Sequence, residues 1–244
     1  MLNIKWHVPQ NIGFAITTRQ GGVSKVPFDS LNLGMHVGDL AEDVQHNRDL
    51  AEKKHHMPSS PIWLEQVHGT NIIDLEQTHL KENHTFIADG SYSNQIGNVC
   101  TVMTADCLPL LLCNKQGTEV AAVHAGWRGL CNGVIESALK KFNVNANDIL
   151  ALIGPCIGPQ AFEVGPEVRQ EFMNFSQQSQ GAFIAKENNK YLANLPLLAE
   201  QRLANFGVNE ITHTNLCTFS NSELFFSYRK TPITGRMASF IWLS

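Results

Sequence analysis

Four short apolar runs, residues 99–103, 110–113, 120–123 and 149–153, are almost free of polar residues. A strand with one wet face alternates apolar and polar side chains. These runs do not alternate, so they read as strands buried on both faces. Between the third and fourth runs, Trp127, Leu130, Cys131, Val134, Ile135, Ala138, Leu139 and Phe142 recur at helical spacing. That stripe predicts a helix from 127 to about 142 packed on the sheet. Short buried strands with a helix between them predict an α/β (α+β) fold. The expected form is one domain over residues 1–244, a mixed β-sheet core flanked by helices.

The rest of the chain fits that frame. Residues 13–18 alternate as a strand, and 42–56 read as a polar helix with Val44, Leu50 and Ala51 as its apolar face. Residues 61–67 read as a strand or extended segment and 70–89 as mixed, polar and irregular. A helix over 166–175 opens on Pro166, where a missing N–H costs nothing. Another opens at Asn194-Leu-Pro196 and is closed by Gly207, and late strands follow at 210–214 and 238–243. No internal repeat, linker or low-complexity segment interrupts the pattern.

A hydrophobic content of 43% supports a substantial core. The net charge of −4 comes without a basic block, which argues against nucleic acid as a partner. The apolar stretch 108–113 contains Pro109 and is too short to cross a bilayer, so no membrane role is expected. The start of the chain lacks the pattern of a signal peptide, and the expected compartment is the cytoplasm. Six cysteines in such a chain read as reduced thiols rather than a disulfide framework. Asn83-His-Thr85 and Asn174-Phe-Ser176 match a glycosylation pattern that a cytoplasmic chain does not use.

Chemistry-bearing residues gather where the apolar runs end. His124 follows the run 120–123, inside His124-Ala-Gly-Trp-Arg-Gly129. Cys107 follows the run 99–103 through Ala105-Asp106, and His68 closes another apolar segment in Gln66-Val-His-Gly69. Two readings stand. The three are separately satisfied residues, or they converge on one metal ion and leave a fourth position open, as a catalytic zinc requires. The spacings are not those of a zinc finger and do not choose between them. Cys107 could also serve as a nucleophile with His124 as its base. Asp106 is either a partner or proton acceptor at this site or the cap of a turn. Arg128, at the start of a helix, suits a phosphate or carboxylate, or is a solvated arginine. Arg19-Gln-Gly21-Gly22 cradles an anion or makes an ordinary turn, and Arg229 and Arg236 divide in the same way. Cys156, in Gly154-Pro-Cys-Ile-Gly158, is a second thiol at a strand end or a buried structural cysteine.

These segments, with Thr17-Thr-Arg-Gln-Gly-Gly-Val-Ser24, Ser30-Leu-Asn-Leu-Gly34 and Thr234-Gly-Arg236, resemble the YfiH-like laccase-domain family. Its members carry the labels polyphenol oxidase and purine nucleoside phosphorylase. The resemblance implies a fold of the toxin-like cysteine hydrolase type and a zinc site on His68, Cys107 and His124. It also implies a small-molecule nucleoside and phosphate as partners. The activities it brings are phosphorolysis of adenosine, inosine and methylthioadenosine, adenosine deamination, and copper-dependent phenol oxidation. A multicopper oxidase draws on many histidines, several in His-x-His pairs. This chain has ten histidines and no such pair, so copper is expected only as a substitute for zinc.

Overall fold

The computed structural model describes residue 2, residues 4–76 and residues 86–244. Part of the stretch expected to be irregular, residues 77–85 with the Asn83 pattern, lies outside the described residues. The strands and helices run in the order β1 (Ile12–Ile16), α1 (Ala41–Lys54), β2 (Leu64–Glu65), β3 (Ile72–Asp74), β4 (Phe86–Ile87), β5 (Gly90–Ser93), β6 (Val99–Thr104), β7 (Leu108–Asn114) and β8 (Val120–Ala125). Next come α2 (Trp127–Asn132), α3 (Val134–Leu139), β9 (Ile149–Ile153), β10 (Glu163–Val164) and α4 (Pro166–Phe175). The chain ends with β11 (Phe183–Ala185), β12 (Tyr191–Ala193), α5 (Leu195–Phe206), β13 (Glu210–His213) and β14 (Met237–Leu243).

The centre is a mixed six-stranded sheet ordered β13-β9-β7-β8-β5-β3. A three-stranded antiparallel sheet, β1-β14-β6, packs on one of its faces. Leu111, Cys113, Ala122 and Leu152 fill the space between the sheets with Ile16, Val102 and Ile241. On the other face Leu108, Leu110, Leu112 and Val123 meet Leu130, Ile135, Phe172 and Leu198 of the helices. Alternate side chains of β7 thus enter different cores, and both are dry. That is why its sequence shows no alternation. Each buried leucine contributes about 1.5–3 kcal/mol. The outer face of the smaller sheet is covered in turn by Leu31, Leu33 and Ala51 of the α1 region.

Besides the strands β3 and β4 that form within the stretch expected to be irregular, three expectations change. First, the run 99–103 does form a strand, but β6 belongs to the smaller sheet and not beside β7. The chain passes between sheets at residues 105–107, where Asp106 takes φ 89. Second, the segment 61–67 is a strand only at Leu64–Glu65. Its continuation is replaced by the Gln66 side chain, whose amide donates to the Met103 carbonyl and accepts from the Met103 N–H. Third, the helix expected over 127–142 is broken into α2 and α3 by Gly133, which takes φ 97. Its apolar stripe survives the break because both pieces lie on the same sheet. The helix over 166–175 has the expected bounds, and Asn194 and Gly207 cap α5 as expected.

Candidate metal centre

Antiparallel pairing of β7 with β8 sets Pro109 opposite His124 and Leu108 opposite Ala125. Cys107, directly before β7, therefore sits beside the last turn of β8. The two residues share one edge of the central sheet because neighbouring strands run in opposite directions. That both follow apolar runs is not the reason, since the run before Cys107 forms β6 of the other sheet. His124 lies within β8 and is buried. His68 arrives from the turn after β2, itself in the left-handed region with φ 60. Histidine tolerates that conformation better than most residues.

Asp89 ties these pieces together. Its carboxylate is fully buried and accepts from the backbone N–H groups of His68 at 2.9 Å, Gly69 at 2.6 Å and Val67 at 3.3 Å. The same group accepts from Nδ1 of His124 at 2.8 Å. Burial alone would raise this carboxyl, but the bonds from His124 and the loop amides hold it below the usual range. With Nδ1 of His124 committed to Asp89, Nε2 is left to face Cys107 and His68. An imidazole whose second nitrogen is fixed by a carboxylate is the arrangement that orients metal-binding histidines.

The donor set fits a metal ion. One nitrogen of each histidine and Sγ of Cys107 all lie within 4.8 Å of one another. The sulfur is 3.7 Å from Nε2 of His68. Tetrahedral zinc bonds of about 2.3 Å to sulfur and 2.0–2.1 Å to nitrogen place such a pair about 3.6 Å apart. The two imidazole rings meet edge to face at 4.8 Å. Burial would push the Cys107 thiol up, yet the imidazoles of His124 and His68 reverse this and hold it at about 6. Burial would likewise lower His124, while the Cys107 sulfur and Asp89 raise it to about 9. The protein has thus built a thiolate beside two ring nitrogens.

Glycines let the third wall approach. A Cβ on Gly126 would lie 2.6 Å from the His68 ring and 3.1 Å from Sγ of Cys107. A Cβ on Gly129 would lie 2.7 Å from the Gly69 carbonyl. The His124-Ala-Gly-Trp-Arg-Gly129 string therefore carries a ligand, then two glycines that let α2 rest on the His68 turn.

The other expected site residues fall in different places. Asp106 caps the turn before Cys107. Both its oxygens are taken, by the hydroxyls of Thr218 at 2.6 Å and Ser227 at 3.0 Å and the N–H of Arg229 at 2.7 Å. Those bonds hold a non-glycine residue at positive φ, which costs on the order of 1–3 kcal/mol. Arg128 is exposed at the start of α2 and stacks over Trp127 at 4.4 Å. Arg19 spans two loops, donating to the Asp29 carbonyl and side chain and to the Ser222 carbonyl. Arg229 donates to the Glu163 carbonyl, and Arg236 to the carbonyls of Thr234 and Gly235. Asp89 was missed by the sequence reading. It sits in the stretch read as irregular, and nothing in Ala88-Asp89-Gly90 marks it as the hub of the site.

The chain is similar along nearly its whole length to known proteins. Residues 13–244 match the family model described as multi-copper polyphenol oxidoreductase laccase. The chain is 52% identical over 239 residues to "Purine nucleoside phosphorylase YfiH" of Escherichia coli, covering 98% of this chain and 97% of that one. It is 48% identical over 243 residues to "Purine nucleoside phosphorylase" of Haemophilus influenzae, covering 99% and 98%. A crystal structure from Neisseria meningitidis superposes with a TM-score of 0.94 at 40% identity, over 98% of this chain and 97% of that one.

Proposed function

The chain belongs to the laccase-domain family, and from that premise we propose that it is a zinc-dependent purine nucleoside phosphorylase acting on adenosine, inosine and methylthioadenosine. One observation carries the reading. Asp89 fixes Nδ1 of His124, so Nε2 of His124 joins Sγ of Cys107 and His68 in a three-donor set. A zinc ion held by His68, Cys107 and His124 would supply Lewis-acid polarisation of a substrate atom. Three protein ligands leave room for that substrate. Phosphorolysis forms a bond from a phosphate oxygen to C1′ as the bond from C1′ to the purine breaks. Arg128 is the proposed phosphate ligand: it is exposed beside the site, and its guanidinium fork matches an oxyanion. Asp106 acts from further back, bracing the turn that carries Cys107, while Arg19, the other proposed anion ligand, ties the Asp29 loop to Ser222.

Adenosine deamination is the lesser activity in this account. A zinc deaminase moves protons with a free carboxyl group. Asp89 and Asp106, which hold the ligand loops, are both fully engaged. Phenol oxidation belongs to the copper-substituted protein, since one three-ligand group cannot house a multicopper cluster. The compartment proposed is the cytoplasm, in keeping with six free thiols. Among the described residues no helix is long and apolar enough to cross a membrane.

A second reading has a specific observation behind it. The Asp89–His124–Cys107 chain is also the arrangement of a cysteine nucleophile with its base and orienting acid. Metal dependence separates the two. With inosine and phosphate, chelation should abolish formation of ribose 1-phosphate, and added zinc should restore it. Arg128→Ala should raise the KM for phosphate at least several-fold and leave the metal in place. Arg128→Lys should recover only part of the loss. Turnover independent of phosphate would sink the phosphorylase, and full turnover without metal would favour the thiol enzyme.

A further inference from the structure

A cavity of 450 Å³ outside the metal centre is lined by Cys156, Cys217, His213 and Glu200 among others. Cys156 and Cys217 are partners across a short parallel β-bridge. The Cys156 N–H donates to the Leu216 carbonyl, and the Thr218 N–H donates to the Cys156 carbonyl. Neighbouring strands lie about 4.8 Å apart. That spacing falls within the Cα separation a disulfide spans, about 4.4–6.8 Å. Both thiols are free.

The two sulfurs are not equivalent. Cys217 is half-buried, and its Sγ accepts from the Gly158 N–H at 3.1 Å. The backbone amides of Phe219 and Ser220 and the Ser220 side chain also face it. Gly158 lets the sulfur sit close, since a Cβ there would lie 3.1 Å from Sγ and Cβ of Cys217 and would press it back by a few tenths of an ångström. Burial would raise the Cys217 thiol, but these donors lower it. Cys156 is buried and has no comparable set of donors among the described residues.

We propose that Cys217 and Cys156 form a second reactive site, in which Cys217 is oxidised by a hydroperoxide entering the cavity and Cys156 resolves it to a disulfide. The Cys217 thiolate attacks the peroxide, a sulfur–oxygen bond forms and the oxygen–oxygen bond breaks. A proton is taken up and an alcohol or water leaves. The Cys156 sulfur then attacks that of Cys217, the sulfur–sulfur bond forms and the new oxygen departs as water. The peroxide gains two electrons and the cysteine pair loses two. A dithiol reductant returns the Cys156–Cys217 disulfide to two thiols by exchange and is itself oxidised to a disulfide. The site is separate from the three metal ligands, and its test does not depend on nucleoside turnover.

The experiment uses metal-replete protein exposed to a small excess of hydrogen peroxide, then alkylated and mapped without reduction. The expected product is one linked peptide pair, Cys156 to Cys217, which a dithiol returns to free thiols. Cys156→Ser should stop at a Cys217 sulfenic acid that dimedone traps, and Cys217→Ser should abolish the link. Gly158→Ala should slow alkylation of Cys217 several-fold, because it displaces the sulfur from its amide donor. The wild-type map decides the matter if a variant fails to fold. A map in which Cys217 stays reduced while other cysteines oxidise, or in which Cys217 overoxidises without a link, overturns the proposal.

Discussion

Asp89 does more for this site than any residue that would touch the metal. It accepts four N–H groups, three from residues 67–69 and one from the His124 ring, so its charge sets both the His68 turn and the ring orientation of His124. Asp89→Asn keeps the shape but loses the charge and one acceptor. It should weaken zinc binding about 10–100-fold and lower stability by about 1–3 kcal/mol for the donors left unpaired. Competition with a chelator and denaturant melts measure the two effects. A stability loss with unchanged zinc affinity would refute the orienting role. Titration gives a second test. In metal-free protein Cys107 is held at about 6 and His124 at about 9, each by the other's charge against the effect of burial. At pH 7 the thiol is therefore already ionised while His124 still carries a proton that the metal must displace. From this pair, zinc binding should release about one proton at pH 7, nearer two below pH 6 and none well above pH 9. Affinity should rise with pH across that range. Calorimetry in buffers of different ionisation enthalpy counts these protons, and no release at pH 7 would contradict the assigned charge states.

At the scale of elements, the site depends on close approach of backbone as much as on ligands. The sequence marked Gly126 and Gly129 only as the surroundings of an anion-binding helix start. In the structure they form the face of α2 that meets the His68 turn. Gly126→Ala should push His68 away from the other two donors. Zinc affinity should fall at least ten-fold while the melting temperature of metal-free protein changes by only a few degrees, since Gly126 is in allowed backbone space at φ −64. Unchanged affinity would show that the turn yields without cost. The broken helix at Gly133 illustrates what periodicity cannot convey. The apolar stripe continued across residue 133, because both segments face one sheet, and only the left-handed backbone of the glycine marks the break.

For the whole molecule, the layers were legible because burial on both faces removes alternation. Runs 110–113, 120–123 and 149–153 became adjacent central strands for that reason. The candidate ligands stood out because each closes such a strand or a turn next to one. The split into two sheets was not legible, since β6 has the same apolar character as β7 and only the turn at Asp106 sends it elsewhere. Asp89 was invisible for a related reason. Its partners are far away in sequence, 20 to 35 residues from it, and no local pattern encodes them. What joins these scales is one claim, that the fold converges His68, Cys107 and His124 on a single metal ion. The most direct measurement is metal content per chain, on protein purified without chelator or nickel affinity. The expected result is about one zinc in the wild type and nearly none in alanine variants of any of the three ligands, since a three-ligand site has none to spare. Full zinc occupancy in Cys107→Ala would contradict it. So would metal-free wild type that is fully active and rapidly alkylated at Cys107.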